Sequence, residues 1–205
     1  MPEPFTTLTA IAAPLDMPNV DTDQILPARY LRRPRDERYP TYGFHDLRFD
    51  ADGAARPDFI LNRPPFDRAG ILVAARNFGV GSSREAAVYA LLAMGVRCVV
   101  AESFGDIFFS NALKNGLLPV RLDAQAVTGL RAMLLAAPGT ALTVDLPRDT
   151  LSTPDGTAHR FAIPPFARDC LLRGLDEIGL TLTLLPEIEG FETRRGTPAP
   201  SADDR

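Results

Sequence analysis

The chain has 205 residues, of which 45% are hydrophobic and 23% are charged, a composition typical of a soluble globular domain with enough apolar material for one core. The formal net charge of −4 argues against nucleic acid as the main partner. No apolar run is long enough for a membrane span, and the N-terminus lacks the basic and apolar regions of a secretory signal.

The chain begins with a predicted strand at residues 8–13, and residues 14–65 are irregular and rich in Asp, Arg, Pro and Tyr. The hydrophobic pattern then predicts alternating strands and helices. They are a strand at 71–75, a helix at 83–94, a strand at 97–101, a helix at 106–115, a strand at 117–122 and a helix at 124–137 that Asp123 caps. This order predicts a partly parallel sheet with helices packed on it.

The pattern changes after Pro138. Strands are predicted at 141–146 and 157–163, around the sequence Thr-Pro-Asp-Gly at 153–156, which is typical of a hairpin turn. A helix at 165–173 and an apolar segment at 178–185 complete one domain over residues 1–193. Residues 194–205 are rich in Pro, Gly, Ala and Asp, which predicts a disordered tail.

Cysteine and histidine are too few and too scattered to form a metal site in this chain. Cys98 lies in a predicted strand and Cys170 in a predicted helix, so both are expected to be buried, inert thiols. Neither belongs to a Cys-x-x-Cys pair, and the only histidines are His45 and His159. No metal ligand is therefore predicted here, because iron–sulfur and zinc sites need more ligands than these.

The most informative segment is the loop Asn-Phe-Gly-Val-Gly-Ser-Ser-Arg-Glu at 77–85, between a predicted strand and a predicted helix. Unpaired N–H groups at a helix start favour an anion. Nucleotide fingerprints do not fit, because a Lys-Ser/Thr ending is absent and Arg84 stands in place of the third glycine. A serine cap with Glu85 closing a capping box is the structural alternative. Arg84 favours a role in binding an anionic ligand. A positive charge in the first turn of a helix is unfavourable with respect to the helix dipole, so local stability does not explain it, whereas a guanidinium can bind a carboxylate with two parallel hydrogen bonds.

Two other segments are ambiguous when taken alone. The sequence Asn-Val-Asp-Thr-Asp at 19–23 is typical of Asx-turns, and the basic side chains that follow are typical of a solvated patch. These basic residues are Arg29, Arg32, Arg33 and Arg35. In the third polar segment, at 102–111, Phe104, Ile107 and Phe108 have helical spacing and are expected in the core.

Five motifs, in this order, resemble the small-subunit family of 3-isopropylmalate dehydratases, the swivelling domain of the aconitase superfamily. They are Asn-Val-Asp-Thr-Asp at 19–23, Gly-Ser-Ser-Arg-Glu at 81–85, Ser-Phe-Gly-Asp-Ile-Phe at 103–108, Asn-Gly-Leu-Leu-Pro at 115–119 and Gly-Leu-Asp-Glu-Ile-Gly-Leu-Thr at 174–181. The resemblance implies an α/β fold, a swivelling three-layer β/β/α domain with a partly parallel central sheet. It also implies a cytoplasmic heterodimer with a large subunit that carries a [4Fe-4S] cluster.

The resemblance further implies the reaction and the residues that perform it. The reaction is isomerisation of 2-isopropylmalate to 3-isopropylmalate through 2-isopropylmaleate, a dehydration and rehydration in leucine biosynthesis. Ser82 is then the catalytic base that removes the carbon-bound proton. The substrate-binding residues are Ser83 and Arg84 at the substrate carboxylate, Thr22 and Asp23 along the pocket, and Arg32 in a specificity loop.

Alternative functions stay open at this point. Arg32, together with Ala86 and Val80 where many relatives have His and Cys, leaves room for a paralogous hydro-lyase that acts on another malate-type or tricarboxylic acid, as homoaconitase does. A non-catalytic module that retains the fold is a second alternative, against which Ser82 and Arg84 argue. A stand-alone serine hydrolase is the weakest, because neither histidine has a motif context.

Overall fold

The centre of the fold is a seven-stranded mixed sheet in strand order β4-β3-β2-β1-β5-β6-β7. The computed structural model describes residues 2–196. The strands are β1 (Thr7–Leu15), β2 (Ile71–Ala74), β3 (Cys98–Ala101), β4 (Leu118–Arg121), β5 (Ala141–Asp145), β6 (Thr150–Ser152) and β7 (Ala158–Arg160). Strands β1 to β4 pair in parallel, whereas β5, β6 and β7 extend the sheet in antiparallel fashion.

Strand β1 joins the parallel and antiparallel parts of the sheet. Its first half, Thr7 to Ile11, pairs with β5, and its second half, Ala12 to Leu15, pairs with β2. The predicted α/β class with a partly parallel central sheet is confirmed.

The α-helices are α1 (Thr22–Ile25), α2 (Tyr39–Tyr42), α3 (His45–Arg48), α4 (Glu85–Ala93), α5 (Asp106–Lys114), α6 (Ala124–Ala136), α7 (Pro165–Arg173), α8 (Glu177–Thr183) and α9 (Leu185–Arg195). Strands β2 and β3 are buried along their whole length, as expected of parallel strands covered on both faces. Successive residues of β2 alternate between two apolar clusters, with Leu72 in one and Ile71 in the other. The first cluster includes residues of α4 and α5, and the second includes residues of α6 and α7. Phe104 and Phe108 are buried in the first cluster as predicted, but the prediction for Ile107 is wrong, because its side chain lies on the solvent side of α5 and is 51% exposed.

The long N-terminal segment is ordered by a few buried apolar side chains. Besides α1 to α3, it contains 3₁₀ turns at Ala28–Tyr30 and Ile60–Asn62. Ile25 and Phe44 are fully buried and join the first apolar cluster. Burial of these two side chains stabilises the folded conformation of a segment that has no long helix or strand.

The C-terminal part differs from the prediction in three details. Strand β6 was not predicted, because three residues are too few to show an alternating pattern. It pairs with β7, which lies within the predicted strand at 157–163, across the predicted turn at 153–156. The turn is therefore confirmed, but its first strand is β6 and not the predicted strand at 141–146. The apolar segment 178–185 spans α8 and the start of α9.

The predicted tail overlaps the end of α9. The helix continues through Arg195, and residues 197–205 lie outside the described residues, so the disordered tail stays a prediction there. Among residues 2–196, no helix is both long and apolar enough to cross a bilayer.

Candidate active site

Three polar segments meet beyond the carboxyl ends of β1, β2 and β3. Residues 19–23 follow β1, residues 77–85 follow β2 and residues 103–105 follow β3. Neighbouring parallel strands end at the same edge of a sheet, which is where open α/β sheets bind their ligands. The topology thereby brings together three motifs that are far apart in sequence.

Backbone hydrogen bonds hold the loop 77–85 between its two neighbours. On one side, Gly79 donates its N–H to the carbonyl of Val20 at 2.7 Å, and Thr22 donates to the carbonyl of Val80 at 2.9 Å. On the other side, Phe78 donates to the carbonyl of Ser103 at 3.0 Å, and Gly105 donates to that of Phe78 at 2.9 Å. The first part of the loop is therefore hydrogen-bonded on both sides and extends the parallel sheet beyond the end of β2.

Two glycines allow this close approach of backbones. Gly79 has φ +74°, and a Cβ there would collide with the side chain of Phe108. A Cβ on Gly105 would lie 2.5 Å from the carbonyl oxygen of Gly79. Only glycine fits both positions without moving buried neighbours.

Ser82 and Ser83 follow this hydrogen-bonded part of the loop, and both residues are exposed. The carbonyl of Ser82 accepts a hydrogen bond from Thr22 Oγ1 at 3.0 Å. Within residues 2–196, neither serine hydroxyl takes part in a hydrogen bond.

The predicted helix start at Ser83 is wrong. Helix α4 begins at Glu85, and its N-cap is Arg84, whose side chain makes no capping bond. The bond from Thr22 and the extended backbone of Arg84, with φ −127° and ψ 95°, keep the chain outside the helix. The structural alternative, a serine cap with a capping box at Glu85, is absent as well, since no side chain caps α4 and Glu85 accepts a bond from Asn115 Nδ2 at 2.7 Å. A capping box does occur in α1, between Asp21 and Gln24.

Arg84 and Asp23, both predicted to bind substrate, form an ion pair with each other. The Arg84 side chain is only 16% exposed, whereas that of Asp23 is 51% exposed. The cationic group is thus fixed within the site and its counter-ion faces solvent.

Thr22 lies in the site but in a supporting position. The residue is 2% exposed, and its hydroxyl is used by the bond to Ser82. A ligand would meet Thr22 only after that bond breaks.

Arg32 is not connected to the other predicted site residues by a hydrogen bond or ion pair in the described part of the chain. It is exposed beyond the 3₁₀ turn at Ala28–Tyr30. Two of its basic neighbours, Arg29 and Arg35, make structural contacts instead. Arg29 donates hydrogen bonds to Asp46 and holds the pKa of that carboxyl below its usual value. The guanidinium of Arg35 stacks over the ring of Tyr89, with its Cζ 4.1 Å from the ring centroid.

A polar cluster that sequence reasoning missed links the three segments. Asn77 Nδ2 donates to Asn19 Oδ1 at 2.8 Å, and Ser103 Oγ donates to Asn77 Oδ1 at 3.0 Å. Both asparagines have left-handed backbones, with φ 56° at Asn19 and 58° at Asn77. An asparagine soon after a strand end is a weak signal of this conformation, because Asn tolerates it better than most residues.

The described residues of this chain do not form a metal centre. No group of three or more His, Cys, Asp or Glu side chains within residues 2–196 is arranged to hold a metal ion. Both cysteines are buried, as predicted, and burial raises the pKa of the Cys98 thiol. An iron–sulfur cluster does not fit the described side chains.

Similarity to known proteins identifies the family. Residues 2–125 of this chain match the family model of the aconitase C-terminal domain, and residues 130–165 match the family model described as LeuD_N. The 3-isopropylmalate dehydratase small subunit of Rhodospirillum centenum is 48% identical over 200 residues, 98% of this chain and 98% of that protein. The small subunit of Paramagnetospirillum magneticum is 46% identical over 198 residues, 97% of this chain and 98% of that protein. The chain belongs to the family of 3-isopropylmalate dehydratase small subunits.

A solved structure of this family shares the fold. The structure of 3-isopropylmalate dehydratase (leuD) from Methanocaldococcus jannaschii gives a TM-score of 0.63 at 23% identity and covers 92% of this chain and 99% of its own. The family resemblance and the fold class predicted from the five motifs are confirmed. A small-subunit family implies a large-subunit partner, while the roles of individual site residues stay predictions.

Proposed function

We propose that this chain is the small subunit of a 3-isopropylmalate dehydratase. With a large subunit, it interconverts 2-isopropylmalate and 3-isopropylmalate through 2-isopropylmaleate, in leucine biosynthesis in the cytoplasm. The observation that carries the proposal is that the exposed Ser82 and the guanidinium of Arg84, which is paired with Asp23, belong to one loop at the edge of the sheet where α/β folds bind ligands. The full-length similarity to small subunits of this enzyme supports the same assignment.

Ser82 acts as the base that removes the carbon-bound proton of the substrate. A free hydroxyl is a poor base, so its oxygen must be stabilised as an anion. Arg84 lies two residues away and is largely buried, and a nearby positive charge favours the anionic form of an acid. After elimination, the Ser82 hydroxyl can return the proton to the adjacent carbon.

Arg84 binds a substrate carboxylate, and Ser83 donates a hydrogen bond beside it. A guanidinium can hold a carboxylate with two parallel hydrogen bonds, which fixes both position and orientation. Asp23 already pairs with Arg84, so the substrate carboxylate shares or displaces this counter-ion. Thr22 supports the pocket through its bond to the Ser82 carbonyl.

We assign the [4Fe-4S] cluster to the large subunit. Aconitase-family membership supports such a cluster, and the side chains described in this chain do not fit one. The steps above are therefore confined to this chain's own residues.

A homoaconitase-like hydro-lyase is the second candidate. Arg32 is exposed and has no ion-pair partner in the part of the chain that the structure describes, so its charge is available for a distal carboxylate. A tricarboxylic substrate would use that charge, whereas the isopropyl group of isopropylmalate would not. A non-catalytic module with the same fold is the third candidate.

Reconstitution with the large subunit separates these candidates. We expect turnover of 2-isopropylmalate, and we expect Ser82→Ala to lower kcat by about 10³-fold because general-base catalysis is lost. Ser152→Ala, in β6 and outside the loop, is the matched control. Turnover of homoaconitate alone, abolished by Arg32→Leu, would establish the second candidate. Full activity of Ser82→Ala would establish that this serine is not the base.

A further inference from the structure

The side chains of Asn19, Asn77 and Ser103 form a continuous hydrogen-bonded cluster at the ends of three strands. Besides the two bonds between side chains, the N–H of Asn77 donates to Ser103 Oγ at 2.9 Å. The N–H of Asn19 donates to the carbonyl of Arg76 at 2.9 Å. Asn77 is the central member, because its amide group bonds to both of the others.

The cluster is not needed to satisfy buried polar groups. Both asparagines are exposed and Ser103 is half-buried, so water can replace each side-chain bond. A bond that water can replace contributes little to stability but still fixes the relative position of the segments it joins. The bonds join residues 58 and 26 positions apart in sequence.

The joined segments carry the two halves of the proposed site. Asn19 begins the segment that supplies Thr22 and Asp23, and Asn77 begins the loop that supplies Ser82 and Arg84. Backbone bonds from Gly79 to Val20 and from Thr22 to Val80 already align these halves. The side-chain contacts between them are the Arg84–Asp23 ion pair and the bond from Thr22 to the Ser82 carbonyl. A shift of one segment against the other would change both contacts together.

We propose that Asn77 is a positioning residue, which sets the spacing of Ser82 and Arg84 relative to Asp23 through its bonds to Asn19 and Ser103. This inference rests on the proposed function of Ser82 and Arg84. Left-handed backbone at both asparagines turns their side chains into the cluster at little conformational cost, because Asn adopts this region more readily than other residues with a Cβ.

Substitution of the asparagines by aspartate tests the bond itself. Asn19→Asp keeps an acceptor for Asn77 Nδ2. Asn77→Asp keeps the acceptor for the Ser103 hydroxyl. The side-chain amide of Asn19 can then rotate so that its NH₂ group donates to the carboxylate at position 77. The double variant leaves two acceptors that repel each other. The matched control is Asn19→Asp combined with Asn111→Asp in α5, which adds the same charge without placing two carboxylates face to face.

The readout is steady-state kinetics of the two-subunit complex with 2-isopropylmalate. We expect each single variant to lose at most about threefold in kcat, and the double variant to lose about tenfold or more with a smaller change in KM, because misplacement of a base mainly affects the chemical step. The control pair should match Asn19→Asp alone. A double variant as active as the control pair would overturn the proposal.

Ser103→Ala provides a test that does not depend on added charge. It removes the acceptor for the Asn77 N–H and the donor to Asn77 Oδ1, and we expect a loss in kcat of about fivefold. Hydrogen exchange of the amides at 78–82 should be faster in both Ser103→Ala and the double variant. Unchanged exchange would also overturn the proposal. A wild-type complex inactive on 2-isopropylmalate would instead refute the proposed function, while the exchange experiment would still test the cluster.

Discussion

The carboxylate of Asp23 forms an ion pair with the guanidinium of Arg84, which lies 61 positions later in the chain. Asp23 Oδ1 also accepts the N–H of Ala28 at 3.2 Å, so the same carboxylate anchors the start of the 3₁₀ turn that leads to Arg32. Asp23 thus connects the guanidinium of the proposed carboxylate clamp to the segment expected to set specificity. A substrate carboxylate at Arg84 would compete with Asp23 for the same donors.

Asp23→Asn should therefore change substrate binding and turnover in opposite directions. The neutral amide keeps an acceptor for the Ala28 N–H but removes the charge that competes for Arg84. We expect KM for 2-isopropylmalate to fall about threefold, since the Asp23 carboxylate is half-exposed and an ion pair screened by water contributes up to about 1 kcal/mol. The value of kcat should fall as well, because Arg84 loses the partner that orients it. Steady-state kinetics at low and high salt measures both effects.

The matched control for that variant is Asp169→Asn. Asp169 is also exposed and also pairs with an arginine, Arg173, but both residues lie in α7, outside the segments of the site. Its neutralisation should leave both kinetic constants unchanged. An unchanged KM in Asp23→Asn would mean that Asp23 does not compete with the substrate.

Arg84→Lys tests whether the clamp needs a planar fork or only a positive charge. Lysine keeps the charge but cannot form two parallel bonds to a carboxylate. We expect kcat/KM for 2-isopropylmalate to fall about 100-fold, which corresponds to about 2.7 kcal/mol of transition-state stabilisation. Arg173→Lys, at the exposed end of α7, is the control. A lysine variant with near-normal kcat/KM would indicate a purely electrostatic role for Arg84.

Thr22→Val distinguishes a supporting threonine from one that contacts the substrate. Valine keeps the shape of this buried side chain but removes the donor to the Ser82 carbonyl. We expect a loss of about 1 kcal/mol in the free energy of unfolding, which urea denaturation measures. We also expect kcat to fall with little change in KM, since the hydroxyl positions Ser82 and does not bind the substrate. Thr22→Ser should recover most of the loss, and a rise in KM alone would favour direct contact.

Much of this arrangement follows from local sequence patterns. Helix α7 was predicted at its observed bounds, and Asp123 does cap α6 with a bond to the Ala126 N–H at 2.8 Å. The segments of the site could also be located, because each combines turn and polar residues after an apolar run. The start of α4 could not be predicted from local patterns. The hydrogen bond that keeps Ser82 outside the helix comes from Thr22, which is 60 positions away in the chain. The cluster around Asn77 escaped prediction for the same reason.

The close packing beneath the loop leads to a last prediction, in which two glycines respond in opposite ways to the same substitution. Gly79→Ala forces a Cβ into the side chain of Phe108 at a residue with φ +74°, so we expect a loss of about 3 kcal/mol in the free energy of unfolding. Gly129→Ala lies within α6, where an added Cβ meets no atom within 4 Å, and should gain about 0.5–1 kcal/mol because alanine favours helix. Urea denaturation of the two variants compares them directly. Equal stability of both variants would show that the approach of Gly79 to Phe108 does not constrain this loop.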